Sequence, residues 1–151
     1  MDTRFSSAIH TLIMIAGAET PMTSDQIAES VGTNASYIRK ITGLLKKQGI
    51  IDSRQGISGF TLLVEPEELS LLRIFQAIAE TEQVHVFDLH QNPNDECIVG
   101  RHIQPVLTDV FRGIEEKVEQ ELSNTTLGDC MQKMKMEIDK SKGKTVIKIS
   151  E

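Results

Sequence analysis

The chain has no tryptophan, one tyrosine and five phenylalanines, so aromatic side chains make up only 4% of its 151 residues. Its interior must be filled by Leu, Ile, Val, Met and Ala, which suits the packing of helix on helix. Cysteine is as scarce: Cys97 and Cys130 are too few and too far apart for a disulfide framework or a metal-ligand motif. A reducing cytoplasmic compartment is expected. No stretch approaches the roughly 20 apolar residues that a membrane-crossing helix needs. Arg4, the apolar run Ala8 to Ala16 and the small triplet Ala16-Gly17-Ala18 sketch a secretory signal. His10 and Thr11 interrupt that run, whereas Phe5, Ala8, Ile9, Leu12, Ile15 and Ala16 recur at helical spacing. A core-facing helix over 5–18 is the better reading.

Positive charge is also in short supply, with 16 Lys and Arg against 22 Asp and Glu. Its distribution matters more than the total, because local fields choose partners. Residues 1–35 hold one base and four acids, residues 56–100 hold one base and eight acids, and residues 101–151 hold nine of each. Between 36 and 55 lie Arg39, Lys40, Lys46, Lys47 and Arg54 against Asp52 alone. An acidic chain therefore keeps a strongly basic window here.

Hydrophobic residues form 39% of the chain, ordinary for one compact domain or a small domain with an arm. After the break at Pro21, Thr23 or Ser24 caps a short second helix over 25–30, and Gly32 makes the turn. Asn34 or Ser36 caps a third helix through Gln48, which Gly49 stops. In it Ile38, Ile41, Leu44 and Leu45 make a buried stripe, leaving Tyr37, Arg39, Lys40, Thr42, Lys46 and Lys47 for other faces. Ile50 and Ile51 start an extended segment that turns at 56–59 and returns through Phe60, Leu62 and Val64. A fourth helix is expected over 69–81. Asn92-Pro93-Asn94-Asp95 marks a loop over 91–100. A helix of about 20 residues, roughly 30 Å long, follows with a stripe of Ile103, Val106, Leu107, Val110, Ile114, Val118 and Leu122. Such a stripe needs a partner. A last helix is expected over 127–139, then a linker over 140–144 and a short strand over 145–149. The chain thus divides into a winged helix-turn-helix domain (1–82), a sensor-like loop (83–100), a dimerisation helix (101–125) and a C-terminal helix and tail (126–151). The fold class is mainly α with a small β-hairpin wing.

A helix inserted in the major groove needs side chains that reach base edges and nearby cations and hydroxyls that hold phosphates. The third helix offers Ser36, Tyr37, Arg39, Lys40 and Thr42 near its start, and Lys46 and Lys47 at its end. Ser24, at the head of the second helix, adds a hydroxyl. Arg54 and Gln55 at the hairpin turn are placed to reach the adjoining minor groove. A solvated basic face is the bland alternative, but caps, glycine stop and hairpin all agree on one architecture. Winged helices also serve as protein-protein modules, so an interaction module without DNA binding is the competing function.

On these residues the sequence resembles the Rrf-type family of bacterial winged-helix regulators, relatives of the iron-sulfur cluster regulator and the nitric-oxide-sensitive repressor. The match runs from Arg4 through Ile27-Ala28-Glu29, Ser36-Tyr37-Ile38, Leu45-Lys46-Lys47-Gln48-Gly49-Ile50-Ile51, Ser53, the wing from Gly56 to Phe60 and the Leu69 to Ala79 helix. It continues more weakly through the long helix. The resemblance implies a homodimer whose long helices pair, with recognition helices and wings on a pseudo-palindromic double-stranded DNA operator. It places Arg4, Tyr37, Arg39, Lys40, Arg54 and Gln55 at the DNA, and Ile103, Leu107, Val110, Ile114, Val118 and Leu122 at the dimer interface. The wing departs from the family's Gly-x-x-Gly-Gly-aromatic pattern: it is one residue shorter, and Gln55 stands where an arginine is usual. Sensing members hold an iron-sulfur cluster with three loop cysteines, and this loop has only Cys97. No cofactor is therefore expected. His90-Gln91-Asn92-Pro93-Asn94 followed by Cys97-Ile98-Val99-Gly100 is similar to a cluster-free branch.

Cys97 with His90 and His102 is a candidate sensor, but zinc wants three or four protein ligands and a fourth is not in view, so no metal is assigned. A redox thiol requires that the following helix lower its pKa. The commonest role of a free cysteine is packing, and this is the first reading for Cys97 and more so for Cys130. A Cys97–His102 hydrolase has no orienting partner or oxyanion donor, and Gly56-Ile57-Ser58-Gly59 lacks the lysine of a phosphate loop. The expected protein is a cytoplasmic, dimeric, DNA-binding repressor and not an enzyme.

Overall fold

The computed structural model describes the backbone of residues 2–150 and the side chains of residues 2–143. Helix α1 (Arg4–Gly17) turns Ala8, Leu12 and Ile15 into the core. Thr11, fully buried, satisfies its hydroxyl by donating to the Ser7 carbonyl at 2.8 Å. Helix α2 (Ser24–Val31) starts with a reciprocal cap, in which the Gln26 amide donates to Thr23 Oγ1 and the Thr23 amide to Gln26 Oε1. Gly32, at φ +83°, ends it in the left-handed conformation. Helix α3 (Ala35–Lys47) is capped by Asn34, whose Oδ1 accepts from the Tyr37 amide at 2.8 Å. Ile38, Ile41 and Leu45 are buried against α1, α2 and the fourth helix.

The hairpin is short. Strand β1 (Ile51–Asp52) pairs antiparallel with β2 (Thr61–Leu62), Ile51 opposite Leu62 and Asp52 opposite Thr61. Its return arm is also tied to the approach to α2: the Phe60 amide donates to the Met22 carbonyl at 2.8 Å and Met22 donates back at 3.4 Å. That contact explains Gly59, since a Cβ there would stand 2.7 Å from the Pro21 carbonyl carbon.

The fourth helix is shorter than the 69–81 expected: α4 spans Leu71–Ala79, after a 3-10 turn over Pro66–Glu68. The cause is a tertiary pairing. Leu69 accepts from the Leu127 amide and Leu71 donates to the Thr125 carbonyl, both at 2.8 Å, so this backbone is extended and Ser70 becomes the cap. Helix α5 (Ile98–Asn124) has 27 residues, about 40 Å. It begins three residues before the expected 101, so the Cys97-Ile98-Val99-Gly100 stretch read as loop is its cap and first turn. Helix α6 (Leu127–Ser150) runs through the expected linker and strand, and its backbone remains helical over 140–150. Lysine is a good helix former and Gly143 alone does not stop a helix. Asn34→Ala is expected to lower stability by about 1 kcal/mol, the usual worth of such a cap, measurable by urea unfolding at fixed protein concentration.

Candidate nucleic-acid interface and sensor loop

Residues of α3 advance by about 100° each, so burial of Ile38, Ile41 and Leu45 leaves Ser36, Arg39, Lys40, Gly43, Lys46 and Lys47 facing solvent. The Arg39 and Lys40 side chains are exposed and have no ion-pair or hydrogen-bond partner among the described residues. The cations at the far end are engaged. Lys46 Nζ donates to Ser53 Oγ on the wing at 2.8 Å, and Lys47 Nζ stands 3.8 Å from Glu80 at the end of α4. Both ties hold α3 to its neighbours at an exposed surface, where such pairs are weak and readily exchanged for another anion.

One candidate is withdrawn. Thr42 is 2% exposed and its hydroxyl donates to the carbonyls of Ile38 and Arg39 at 2.9 and 3.2 Å, so it cannot reach DNA. It lies four residues after Ile38, hence on the buried side of the same helix. Tyr37 is half-buried and packs against the core, Leu44 is only half-buried, and Ser24 is half-buried at the first position of α2. Arg54 and Gln55 are exposed at the wing turn, where the Ile57 amide donates to the Arg54 carbonyl at 3.2 Å. Ile57 beside them is 50% exposed. Arg4 is exposed but folds back onto Asp2, and it lines a cleft with Phe5, Phe75 and Val86. The Arg4 amide and guanidinium hold the Asp2 carboxyl below its ordinary pKa.

Among the described residues the three sensor candidates do not form a metal-holding group. His102 Nδ1 lies 2.7 Å from the Ile98 carbonyl, the His90 carbonyl accepts from Gln104 Nε2, and Cys97 caps α5. Cys97 is exposed, which corrects the packing role expected of it, and the Gly100 and Val99 amides hold its thiol below the ordinary pKa. Cys130 is half-buried on α6, and desolvation pushes its thiol up.

A feature unread from the sequence straps the loop to α5. The Val84 amide donates to Glu119 Oε1 at 2.9 Å, the Val86 amide to Glu115 Oε2, and Arg112 bridges the Val84 carbonyl and Glu119. Arg112 also holds the Glu119 carboxyl below its ordinary pKa. Glu115 is buried, 5% exposed, with His85 at 3.6 Å. A cavity of about 610 Å³ lies alongside, lined by Phe87, Leu89, Thr108, Phe111, Arg112 and Glu115. The spacing of Arg112, Glu115, Glu116 and Glu119 on one side of α5 was the available signal. Opposite it, the apolar stripe is open: Val106, Val110, Ile114 and Val118 are 54%, 48%, 43% and 36% exposed, with Ile103, Leu107 and Leu122 half-buried.

A capped helix-turn-helix with a basic outer face and a short wing defines a winged-helix DNA-binding regulator. Residues 1–133 match the family profile described as "Rrf2: Iron-dependent Transcriptional regulator", and the chain belongs to the Rrf2 family. It is a DNA-binding transcriptional regulator rather than an enzyme. It is similar to YwnA of Bacillus subtilis (strain 168), named as an HTH-type transcriptional regulator, at 37% identity over 131 residues, covering 87% of this chain and 96% of YwnA. A crystal structure of a protein described as DNA binding is 35% identical, with TM-score 0.70, covering 85% of this chain and 98% of that one. The fold is shared with CymR, the global cysteine regulator of B. subtilis, at 19% identity and TM-score 0.66, covering 87% of this chain and 95% of CymR.

The family's description invokes iron, and the donors here do not fit it. The loop supplies one thiol, and among the described residues no three His, Cys, Asp or Glu side chains converge on a metal-sized space. Nor, among the described residues, is any helix long and apolar enough to cross a membrane.

His85 Nε2 lies 2.7 Å from Asp88 Oδ1, and this bond raises the imidazole above its ordinary 6.5, with Glu115 adding to the effect. A raised histidine pKa contributes stability that is fully present below 6.5 and fades as pH climbs through the folded value. Histidine NMR titration should therefore give His85 a midpoint above 6.5, falling towards it in Asp88→Asn. A midpoint unmoved by that change would show that Asp88 is not the cause.

Proposed function

We propose that two copies of the chain pair through the open apolar stripe of α5 and act in the cytoplasm as a sequence-specific repressor. Each copy lays α3 in a major groove of a pseudo-palindromic operator, with half-sites about 34 Å apart. Ser36, Arg39 and Lys40 meet base edges and phosphates; Arg54 on the shortened wing lies towards the minor groove. The observation that carries this reading is the exposed pair Arg39 and Lys40, whose side chains have no partner among the described residues, on a strongly basic stretch of an acidic chain. The acidic remainder repels a duplex and leaves one face for docking. Association uses no resident cofactor.

Fluorescence anisotropy on DNA from the chain's own upstream region tests this. Binding should saturate and weaken steeply with salt, since each neutralised phosphate releases counterions. Replacing both Arg39 and Lys40 by Ala should cost roughly 100-fold or more in operator affinity with unchanged melting, as loss of a specific base contact and phosphate contacts requires. The absence of any saturable, salt-sensitive binding would return the chain to the interaction-module reading. Val110→Asp with Ile114→Asp should convert the dimer to a monomer in sedimentation, because two charges would be buried without partners in the paired interface.

A further inference from the structure

Gly43 stands at the centre of the solvent-facing side of α3, one turn after Arg39 and Lys40 and one turn before Lys46 and Lys47. Its backbone is not among the positive-φ glycines, so chain conformation does not call for glycine there. A Cβ at this position would meet no atom within 4 Å, so packing within the chain does not call for it either. Inside a helix glycine is the poorest residue short of proline, because it surrenders the most backbone freedom on folding. The position carries that penalty without internal compensation, on the surface read above as the DNA-facing one.

We infer that Gly43 sets how deeply α3 seats in the major groove. Without a side chain at 43, a base-pair edge comes directly against the helix backbone. Ser36, Arg39 and Lys40, on the two turns before it, are thereby carried to base edges that a raised helix would not reach. Any larger side chain would hold the axis away from the groove floor. Depth of seating governs base readout more than phosphate attraction, because phosphates line the groove rim and are met by long flexible cations. Gly43 is thus a specificity determinant, an assignment that rests on the DNA-reading function proposed above.

The test uses the full chain, Gly43→Ala and Gly43→Leu, with two probes: duplexes recovered by the wild type from a randomised library, and a scrambled duplex at low salt. Gly43→Ala should melt at a higher temperature than wild type, which removes misfolding as an explanation. It should bind the recovered duplex about tenfold more weakly, the scale of one lost base contact, and Gly43→Leu more weakly still. The scrambled duplex should be held within about twofold of wild type, since phosphate contacts are kept. Recovered-duplex affinity within about twofold of wild type in Gly43→Ala, or equal losses on both probes, would overturn the assignment. Failure of the wild type to recover any duplex would overturn the DNA reading itself, and this assignment with it.

Discussion

The orientation of α3 depends on one set of contacts, the burial of Ile38, Ile41 and Leu45 against α1, α2 and α4. Each is essentially inaccessible to water, and a fully buried Leu or Ile contributes on the order of 1.5–3 kcal/mol relative to exposure. A helix has one degree of rotational freedom about its axis, and this stripe removes it. Ser36, Arg39, Lys40 and Gly43 are then outward by necessity. Thr42 is inward by the same necessity, its hydroxyl returned to the backbone of the preceding turn. The caps act on the other coordinate: Asn34 fixes where α3 begins, and so which residues lie on its first turn.

Electrostatics then acts on a frame that packing has already set. The chain carries a net charge of −6, yet the basic stretch is not neutralised by the acids around it. Among the described residues only the side chains at its far end are tied, through Lys46 to Ser53 and Lys47 to Glu80. Those ties are exposed and worth little as stability. Their effect is one of placement, since they draw the wing and the end of α4 towards the C-terminal half of α3 while Arg39 and Lys40 stay outward.

Local signals were legible in the sequence and non-local ones were not. The cap at Thr23, the glycine turns, the hairpin and the stripe of α3 each depend on residues within a few positions of one another, and the structure has them. Polarity alone favours an outward Thr42, but its spacing from Ile38 puts it on the buried side. The start of α4 was set by pairing of residues 69–71 with 125–127, more than fifty positions away, which no window could contain. The Asn92-Pro93-Asn94-Asp95 turn predicts a loop through Gly100, but its influence ends within a few residues and α5 starts at Ile98. Closeness in sequence of His90, Cys97 and His102 did not make them a metal-holding group among the described residues, and His102 Nδ1 lies instead at the Ile98 carbonyl.

Helix α5 has two unlike sides, and their opposition links the halves of the molecule. One side holds the connecting loop through Arg112, Glu115 and Glu119; the other leaves Val106, Val110, Ile114 and Val118 exposed. Glu115 is the pivotal residue of the first side. Its buried carboxylate is not left without partners, since it accepts from the Val86 amide and faces His85. The loop amides it and Glu119 satisfy belong to the segment leading out of α4, and α4 packs on both α3 and α5. The cavity beside Phe87 and Phe111 is walled by this same loop on one side and by α5 on the other.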